Sequence, residues 1–326
     1  MSKKLKPNKG FSLIEISLVI LIIAILVYGI STGIDLYKDA KISTAKNLTT
    51  KSPVSRISEL SLWLEASDSQ KIECYGATKT CTNNGKIKIW FDINPTTIDK
   101  INVGRNNNGD GAPTYVEDGI NGLPAINFNQ DNYQYLSNNE VVNPSPPPII
   151  KNKPDYTMIV AWKPIKKSSY NNENNTPQHL LSQGSAYNFS CTLGNCGITG
   201  SIVYKPSNNL GFFGYHNIWG ANIVKPESVA NASIMIIDAD ASNSSNSKIS
   251  LYNNSLTAIS GTFPKTLIGI CEFNIGIFAC RKWADSDPTR FHGLISEVIV
   301  FNRAITDNEA KNIMKYLSQK WSIPLE

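Results

Sequence analysis

The chain has 326 residues and a formal net charge of +5, and four of its lysines lie within the first nine residues. Without those four lysines the charge falls from +5 to +1, so the remainder has no basic surface of the kind that nucleic-acid binding requires. We therefore expect no nucleic-acid partner.

The N-terminal segment combines a basic leader with an apolar run. The leader ends at Gly10, and the run extends from Phe11 to Ile30, which is long enough for one helix to cross the hydrocarbon core of a bilayer. Glu15 is the only ionisable side chain in this run. A charge inside a membrane segment is costly and normally has a partner, so Glu15 is a candidate functional residue.

This arrangement resembles the class III signal of type IV pilins and pseudopilins. The resemblance implies that a prepilin peptidase cuts after Gly10 and that Phe11 becomes the methylated N-terminus. It also implies that Glu15 neutralises the terminal amine of a neighbouring pilin or pseudopilin subunit during filament assembly. The resemblance covers the N-terminal segment only.

Two other interpretations of the segment compete with this one. A secretory signal would end in a small-residue cleavage site, and no convincing site follows Ile25. A plain signal anchor fits the length and the lysines but gives no reason for Glu15. In each case the basic flank stays in the cytoplasm, so we expect a single-pass protein of the cytoplasmic membrane with its C-terminal part outside, either alone or within a filament.

The following residues predict a stalk and then a junction. Apolar residues between positions 31 and 48 recur at helical spacing and prolong the membrane helix. The segment around Pro53 breaks this pattern. The predicted organisation is a leader at residues 1–10, a helix at 11–50, a linker at 51–59 and a head at 60–326.

The head predicts a mainly β fold. Short runs of β-branched and aromatic residues, bounded by Asn, Gly, Pro and Ser, are typical of an all-β sandwich. Low apolar content predicts surface loops at residues 138–154 and 166–178. Strands are predicted at residues 86–91, 125–128, 156–162, 233–238, 248–252, 267–270 and 295–301.

A helix is predicted at the C-terminal end of the head. Thr306 and Glu309 have the spacing of a capping box, and the helix that they begin extends to Lys320. We expect Trp63 and Trp321 to pack near one another where the chain enters and leaves the sandwich.

Motifs near both ends of the head resemble the bacterial laminin-G-like domains of the concanavalin A-like superfamily. The resemblance implies a β-sandwich jelly roll over residues 60–326 and a role in adhesion or in binding carbohydrate or protein. Most of the matching positions are explained by core packing and turns rather than by a ligand. The motifs lie at residues 62–68, 113–115, 119–128, 293–303 and 316–321.

The six cysteines form three pairs of near neighbours along the chain. An even number after an export signal predicts disulfides, although six cysteines allow fifteen connectivities and local pairing is only the simplest of them. A zinc site is the weaker alternative, because the three histidines lie far from any closely spaced cysteine pair. The cysteines are Cys74, Cys81, Cys191, Cys196, Cys271 and Cys280.

Two segments are candidate ligand sites. Asn106, Asn108, Asp110 and Glu117 approximate a calcium loop, but no helix flanks them and a turn-rich surface loop is the better explanation, so we expect no cofactor and keep Ca²⁺ as the weaker alternative. Four aromatic residues interspersed with glycines form a candidate sugar-binding surface, although core packing is their commoner role. They are Phe212, Phe213, Tyr215 and Trp219.

No catalytic constellation is recognisable, so we expect no enzymatic activity. Asp238 and Asp240 are two positions apart and could share one face of a strand, but Asp240 leads into a polar loop, so a catalytic carboxylate pair is not expected there. The three histidines are scattered and do not pair with a nucleophile. The leading hypothesis is a minor pilin or pseudopilin whose head contacts a glycan or a surface protein. The alternative is a membrane-anchored carbohydrate-binding protein that does not assemble into filaments.

Overall fold

The structure is a computed structural model. It describes residues 12–76, 80–106, 109–141, 149, 155–165, 178–184, 200–205, 209–213, 223–224, 229–238, 246–264, 272–277 and 290–326. The chain divides into two compact units, Met1–Ser43 and Thr44–Glu326.

Helix α1 spans Leu13–Thr50 and confirms the helix predicted over residues 11–50. Its apolar side chains are exposed along the first unit, with Ile20 at 62% and Ile30 at 62%. Within the described residues this helix is long and apolar enough to cross a membrane. Its last turns belong to the second unit, where Ala45 is buried and Lys46 forms an ion pair with Asp68 at 3.0 Å.

The second unit is mainly β, and helix α2 spans Asp307–Trp321. The described strands, in chain order, are β1 Leu60–Glu65, β2 Ile72–Cys74, β3 Ile87–Trp90, β4 Val103–Gly104, β5 Thr114–Ile120, β6 Leu123–Phe128, β7 Leu136–Ser137, β8 Tyr156–Pro164, β9 Gln178–Gly184, β10 Gly200–Lys205, β11 Asn209–Phe213, β12 Ile223–Val224, β13 Asn231–Asp238, β14 Asn246–Asn253, β15 Ile259–Pro264, β16 Glu272–Ile275 and β17 Gly293–Phe301.

These strands form two antiparallel sheets. The eight-stranded sheet has the order β15-β14-β13-β8-β17-β6-β5, and β1 pairs with the second half of β17 beside β6. The nine-stranded sheet has the order β12-β11-β10-β9-β16-β7-β4-β3-β2. One hydrophobic core joins them, because Val298 and Met158 of the first sheet belong to the same buried cluster as Leu181 and Phe273 of the second. The mainly β, two-sheet architecture predicted from the sequence is thus confirmed, whereas the laminin-G-like assignment stays a prediction.

Helix α2 lies against the eight-stranded sheet on the side away from this core. The helix begins with the predicted capping box, since Thr306 Oγ1 accepts from the Glu309 backbone at 3.3 Å and Glu309 Oε2 accepts from the Thr306 backbone at 2.8 Å. Tyr252 of β14 donates to Asp307 at 2.7 Å, and Ile313 is fully buried on the apolar side of the helix. The part of the outer face on which α2 lies is therefore covered by protein.

A buried charge network holds α2 to the first and last strands. Glu297 of β17 accepts at Oε1 from Trp63 Nε1 and Tyr316 OH, both at 2.8 Å. Its Oε2 accepts from Lys320 Nζ at 3.0 Å and Trp321 Nε1 at 2.7 Å. The expected proximity of Trp63 and Trp321 is confirmed, because both indoles bind the same carboxylate. Lys320 also contacts Glu65 at 3.0 Å, and Glu65 lies opposite Glu297 in register.

Each segment that was predicted as a strand contains a strand wherever the structure describes that segment. Strands β3, β6, β8, β13, β14 and β17 overlap the predicted ones, and residues 267–270 lie outside the described residues. The predicted strands do not include the longer strands β1, β5, β9, β10 and β15. They also lack two-residue strands such as β4 and β7, which are too short for a period of two to be visible.

Candidate functional site

The outer face of the nine-stranded sheet is polar across its centre. Ser137, Asn274, Ser182 and Ser201 occupy successive strands β7, β16, β9 and β10 and lie opposite one another in register. We call these four residues the polar row. Each of them is fully buried.

Alternation along the strands places the polar row on the face away from the shared core. Leu136, Ile275, Leu181 and Ile202 directly adjoin its members along the chain, and all four belong to the hydrophobic core cluster. Because successive side chains of a strand point to opposite faces, the row faces outward. The two sheets therefore differ: the outer face of one packs against α2 and carries the buried charge network, and that of the other carries hydroxyl and amide groups.

The amide of Asn274 is the anomaly in the polar row. Among the residues that the structure describes, neither its Oδ1 nor its Nδ2 has a hydrogen-bond partner, although the residue has no solvent exposure. Most buried polar atoms in folded proteins are paired, so an orphaned amide needs a partner beyond the described residues, for which water or a ligand group is suited. An amide offers one acceptor and one donor group side by side, which matches the dual character of a hydroxyl.

His179 extends the polar row at one end. Its Nδ1 lies 2.6 Å from Ser201 Oγ, and the Ser201 hydroxyl donates to the Leu181 carbonyl at 2.8 Å. A hydroxyl has one proton, so Nδ1 of His179 must carry the proton of the His–Ser bond, which leaves Nε2 as the acceptor in the neutral ring. His179 also forms a parallel backbone bridge with Arg290.

Two arginine–tyrosine stacks lie beside the polar row. The Arg105 guanidinium carbon is 4.0 Å from the centroid of Tyr135, and that of Arg290 is 4.7 Å from the centroid of Tyr133. Glu140 accepts from Arg105 Nη1 at 3.3 Å and from Tyr135 OH at 3.0 Å. We call Arg105, Tyr133, Tyr135, Glu140 and Arg290 the arginine–tyrosine cluster. Tyr135 stands two residues before Ser137, which connects the cluster to the row.

The electrostatics of the arginine–tyrosine cluster keep its phenol protonated. Burial raises the pKa of Tyr135 above its ordinary value, and the charge of Arg105 offsets this only in part. Tyr135 therefore donates to Glu140 while it accepts from Arg105 Nη1.

The loop that suggested calcium lies next to this cluster. Arg105 Nε donates to the carbonyl oxygen of Asp110 at 3.2 Å, and Asn106 is tied to Glu140 through its backbone N–H at 3.3 Å. Glu117 lies on β5, where it exchanges two 3.1 Å hydrogen bonds with Asn83. Asp110 and Glu117 thus bind different partners, Arg105 and Asn83. Asn108 lies outside the described residues. In the described part of the chain, no group of three His, Cys, Asp or Glu side chains is placed to hold a metal ion.

Other predicted sites are described only in part. Phe213 of β11 lies opposite Ser201 in register, and Phe212 lies opposite Ile202. Tyr215 and Trp219 lie outside the described residues, as do Gly10, Phe11 and Asp240. Cys74 and Cys81 form the predicted local disulfide. The other cysteines, Cys191, Cys196, Cys271 and Cys280, also fall outside the described residues.

Glu15 has a local partner in the structure. Its Oε2 accepts from the Ser12 backbone N–H at 2.7 Å, and its own N–H donates to Ser12 Oγ at 3.3 Å. This is a capping box at the start of α1, and it explains a glutamate at this position without a second subunit. The sequence analysis missed it, although Ser-x-x-Glu before an apolar run is a recognisable signal.

No family model and no curated protein matches the chain. Among solved structures, a GH54 α-L-arabinofuranosidase soaked with a cyclic sulfate inhibitor matches with a TM-score of 0.50 at 11% identity, over 80% of this chain and 63% of that one. Domain 4 of an extracellular arabinanase from Geobacillus stearothermophilus, in complex with arabinotriose, matches with a TM-score of 0.45 at 16% identity, over 78% and 98%. A Trypanosoma rangeli sialidase in complex with sialic acid matches with a TM-score of 0.46 at 13% identity, over 81% and 33%.

These neighbours correct one expectation. The sequence analysis excluded enzymatic activity because no catalytic motif was recognisable, but a solved chain that shares the fold is an arabinofuranosidase, which is an enzyme. At such low identity the likeness to the arabinofuranosidase shows the fold alone. The expectation of no enzymatic activity was therefore wrong. This fold occurs in enzyme chains, and the lack of a recognisable catalytic motif in one sequence does not exclude an enzyme.

Proposed function

We propose that this protein is a membrane-anchored carbohydrate-binding protein whose β unit, Thr44–Glu326, is displayed outside the cytoplasm. The observation that carries the proposal is the orphaned amide of Asn274 within the polar row. A row of hydroxyl and amide groups is suited to a polyhydroxylated ligand, because each sugar hydroxyl both donates and accepts. The neighbours named above act on or bind sugars, which directs the choice of ligands to test.

Two further features support the anchored and exported parts of the proposal. The exposed apolar side chains of α1 are explained by a lipid environment, since water would disfavour so much apolar surface. The disulfide between Cys74 and Cys81 supports an oxidising compartment outside the cytoplasm.

Glycan titration of the full chain in detergent tests this function. The panel consists of arabinotriose, α2,3-sialyllactose, lactose, chitotriose and N-acetylated chitotriose, of which the first two are sugars bound by structural neighbours. We expect binding of at least one member by calorimetry, and mass spectrometry of the same samples reports any cleavage. Failure of all five to bind would count against the proposal.

A variant of Asn274 separates a ligand site from a site that holds water only. Asn274→Leu removes both amide groups at similar volume, and two lost hydrogen bonds of about 0.5–1.5 kcal/mol each weaken binding about fivefold or more. Folding stability should not fall, because no hydrogen bond within the described chain is lost. Asn127→Leu, at a partly exposed position on β6 of the other sheet, is the matched control and should leave affinity unchanged. Unchanged affinity in Asn274→Leu would assign the amide to a buried water.

The N-terminal resemblance supports a second proposal, that the protein is processed and assembled as a minor pilin or pseudopilin. The prepilin peptidase would cut after Gly10, and Glu15 would then bind the terminal amine of a neighbouring subunit. Glu15 accepts the Ser12 hydrogen bond at Oε2, and a carboxylate with several lone pairs has capacity for a second partner.

Mass spectrometry of protein from its own cell envelope tests processing, and an N-methylated Phe11 at the N-terminus is the expected result. Glu15→Leu should keep membrane anchoring and lose co-purification with filaments. An N-terminus at Met1 would refute the processing step.

A further inference from the structure

We propose that Ser182 and Asn274 together recognise two neighbouring hydroxyl groups of a sugar ring, one of which donates its proton to Ser182 Oγ. This inference rests on the carbohydrate-binding function proposed above. It adds Ser182 as a binding residue and specifies the ligand groups that the polar row selects.

Ser182 and Asn274 are placed to share a ligand. The two residues lie opposite one another in register on β9 and β16, and both are fully buried. Directly opposite side chains of an antiparallel pair have Cβ atoms about 4.5–5.5 Å apart. The two side chains nevertheless do not bond one another, because neither amide atom of Asn274 has a hydrogen-bond partner among the described residues. A polar group between them would contact both.

Ser182 is restricted to accepting a hydrogen bond from a ligand. Its hydroxyl donates to the Ile277 carbonyl oxygen at 2.6 Å, and a hydroxyl has one proton and two lone pairs. The neighbouring Ser201 hydroxyl also donates to a carbonyl, but it already accepts from His179 Nδ1 at 2.6 Å. In the described part of the chain no group donates to Ser182 Oγ. Ser182 therefore has open acceptor capacity and no free proton.

This polarity distinguishes a hydroxyl from the other polar groups of saccharides. A carboxylate or an ether oxygen has no proton to donate to Ser182 Oγ. An ammonium group has protons but no lone pair, so it cannot accept from Asn274 Nδ2. A hydroxyl matches both residues, because it donates to Ser182 Oγ while it accepts from Asn274 Nδ2.

The amide then requires a second hydroxyl. The first one uses its only proton on Ser182, so Asn274 must turn Nδ2 toward it, and no hydrogen bond within the described residues opposes that orientation. The amide Oδ1 is left to accept the proton of another group. Because Nδ2 and Oδ1 belong to one small planar group, the two hydroxyls must be close together, as on adjacent carbons of a sugar ring.

Replacing each hydroxyl of the sugar singly by fluorine tests this polarity, since fluorine is similar in size to a hydroxyl but has no proton. The analogues are made of the best-bound sugar of the panel and titrated into the full chain in detergent. Two neighbouring positions should each lose about fivefold in affinity, which corresponds to one hydrogen bond. If the sugar binds but no two neighbouring positions respond, the inference is overturned and the proposed function stands. If no sugar of the panel binds, both proposals fail together.

Two variants assign the responsive hydroxyls to their residues through double-mutant cycles. Ser182→Ala should abolish the fluorine effect at one position, and Asn274→Leu should abolish it at the other. Asn127→Leu, on the other sheet, should preserve both effects. Each effect is a ratio of two affinities within one variant, so the loss of the bond between Ser182 and Ile277 does not enter it. If Ser182→Ala does not fold, the Asn274→Leu cycle decides alone. Persistence of both effects in Asn274→Leu would overturn the inference.

Discussion

Replacing Glu297 by glutamine should destabilise the β unit strongly. The Glu297 carboxylate is 1% exposed and accepts four hydrogen bonds, from two indoles, a phenol and the Lys320 ammonium. A glutamine side chain turns an NH₂ group toward two of these donors and removes one charge of a buried ion pair. Breaking such a pair costs about 3–5 kcal/mol. Because Glu65 remains 3.0 Å from Lys320 and can hold the ammonium, we expect the lower end of this range.

Urea unfolding of the full chain in detergent measures this loss, with tryptophan fluorescence as the signal because Trp63 and Trp321 both contact Glu297. The same loss should lower the melting temperature by roughly 6–20 °C for a unit of this size. Glu73→Gln is the matched control, since Glu73 pairs with Lys88 at 2.7 Å on the surface. An exposed pair contributes about 0–1 kcal/mol. A Glu297→Gln variant no less stable than Glu73→Gln would refute the reasoning.

Three further predictions concern local features of the β unit. Replacing Cys74 and Cys81 by alanine should cost about 2–3 kcal/mol in urea unfolding, because the disulfide closes a short loop; no change would show that the bond does not form. Gly276→Ala should destabilise by about 1–3 kcal/mol, because Gly276 has φ 83° and a Cβ would lie 2.6 Å from the Phe128 ring; wild-type stability would refute the close approach. Burial raises the pKa of Glu309, but hydrogen bonds from Arg303 and Thr306 outweigh it and hold the pKa below its ordinary value of 4.5. A depressed pKa stabilises the fold above the ordinary value, and this stabilisation is lost as the pH falls through the folded-state pKa. The melting-temperature difference between the wild type and Glu309→Gln should therefore shrink from pH 7 to pH 3, and a constant difference would contradict the assignment.

The sequence predicted those parts of the fold that have a local signal. The apolar helix, the capping box of Thr306 and Glu309, and the long strand β17 each depend on neighbours within a few residues. Their physical determinants are chain-local, and the structure confirms them. The pairing of Cys74 with Cys81 was likewise visible as the simplest local choice.

The candidate site was missed because long-range pairing creates it. Asn274 joins Ser137 and Ser182 only through strand register, which a single sequence does not reveal. The bond between Trp63 and Glu297 spans 234 positions along the chain. A glutamate inside an otherwise apolar strand was nevertheless a usable signal, because burial of a carboxylate requires partners.

Calorimetric titration of the five-sugar panel into the full-length protein tests the central claim most directly. The account predicts saturable binding of a sugar of the panel at a stoichiometry of one, with affinity reduced about fivefold or more in Asn274→Leu and unchanged in Asn127→Leu. Absence of heat for every sugar, with the protein shown to be folded by the same tryptophan signal, would contradict it.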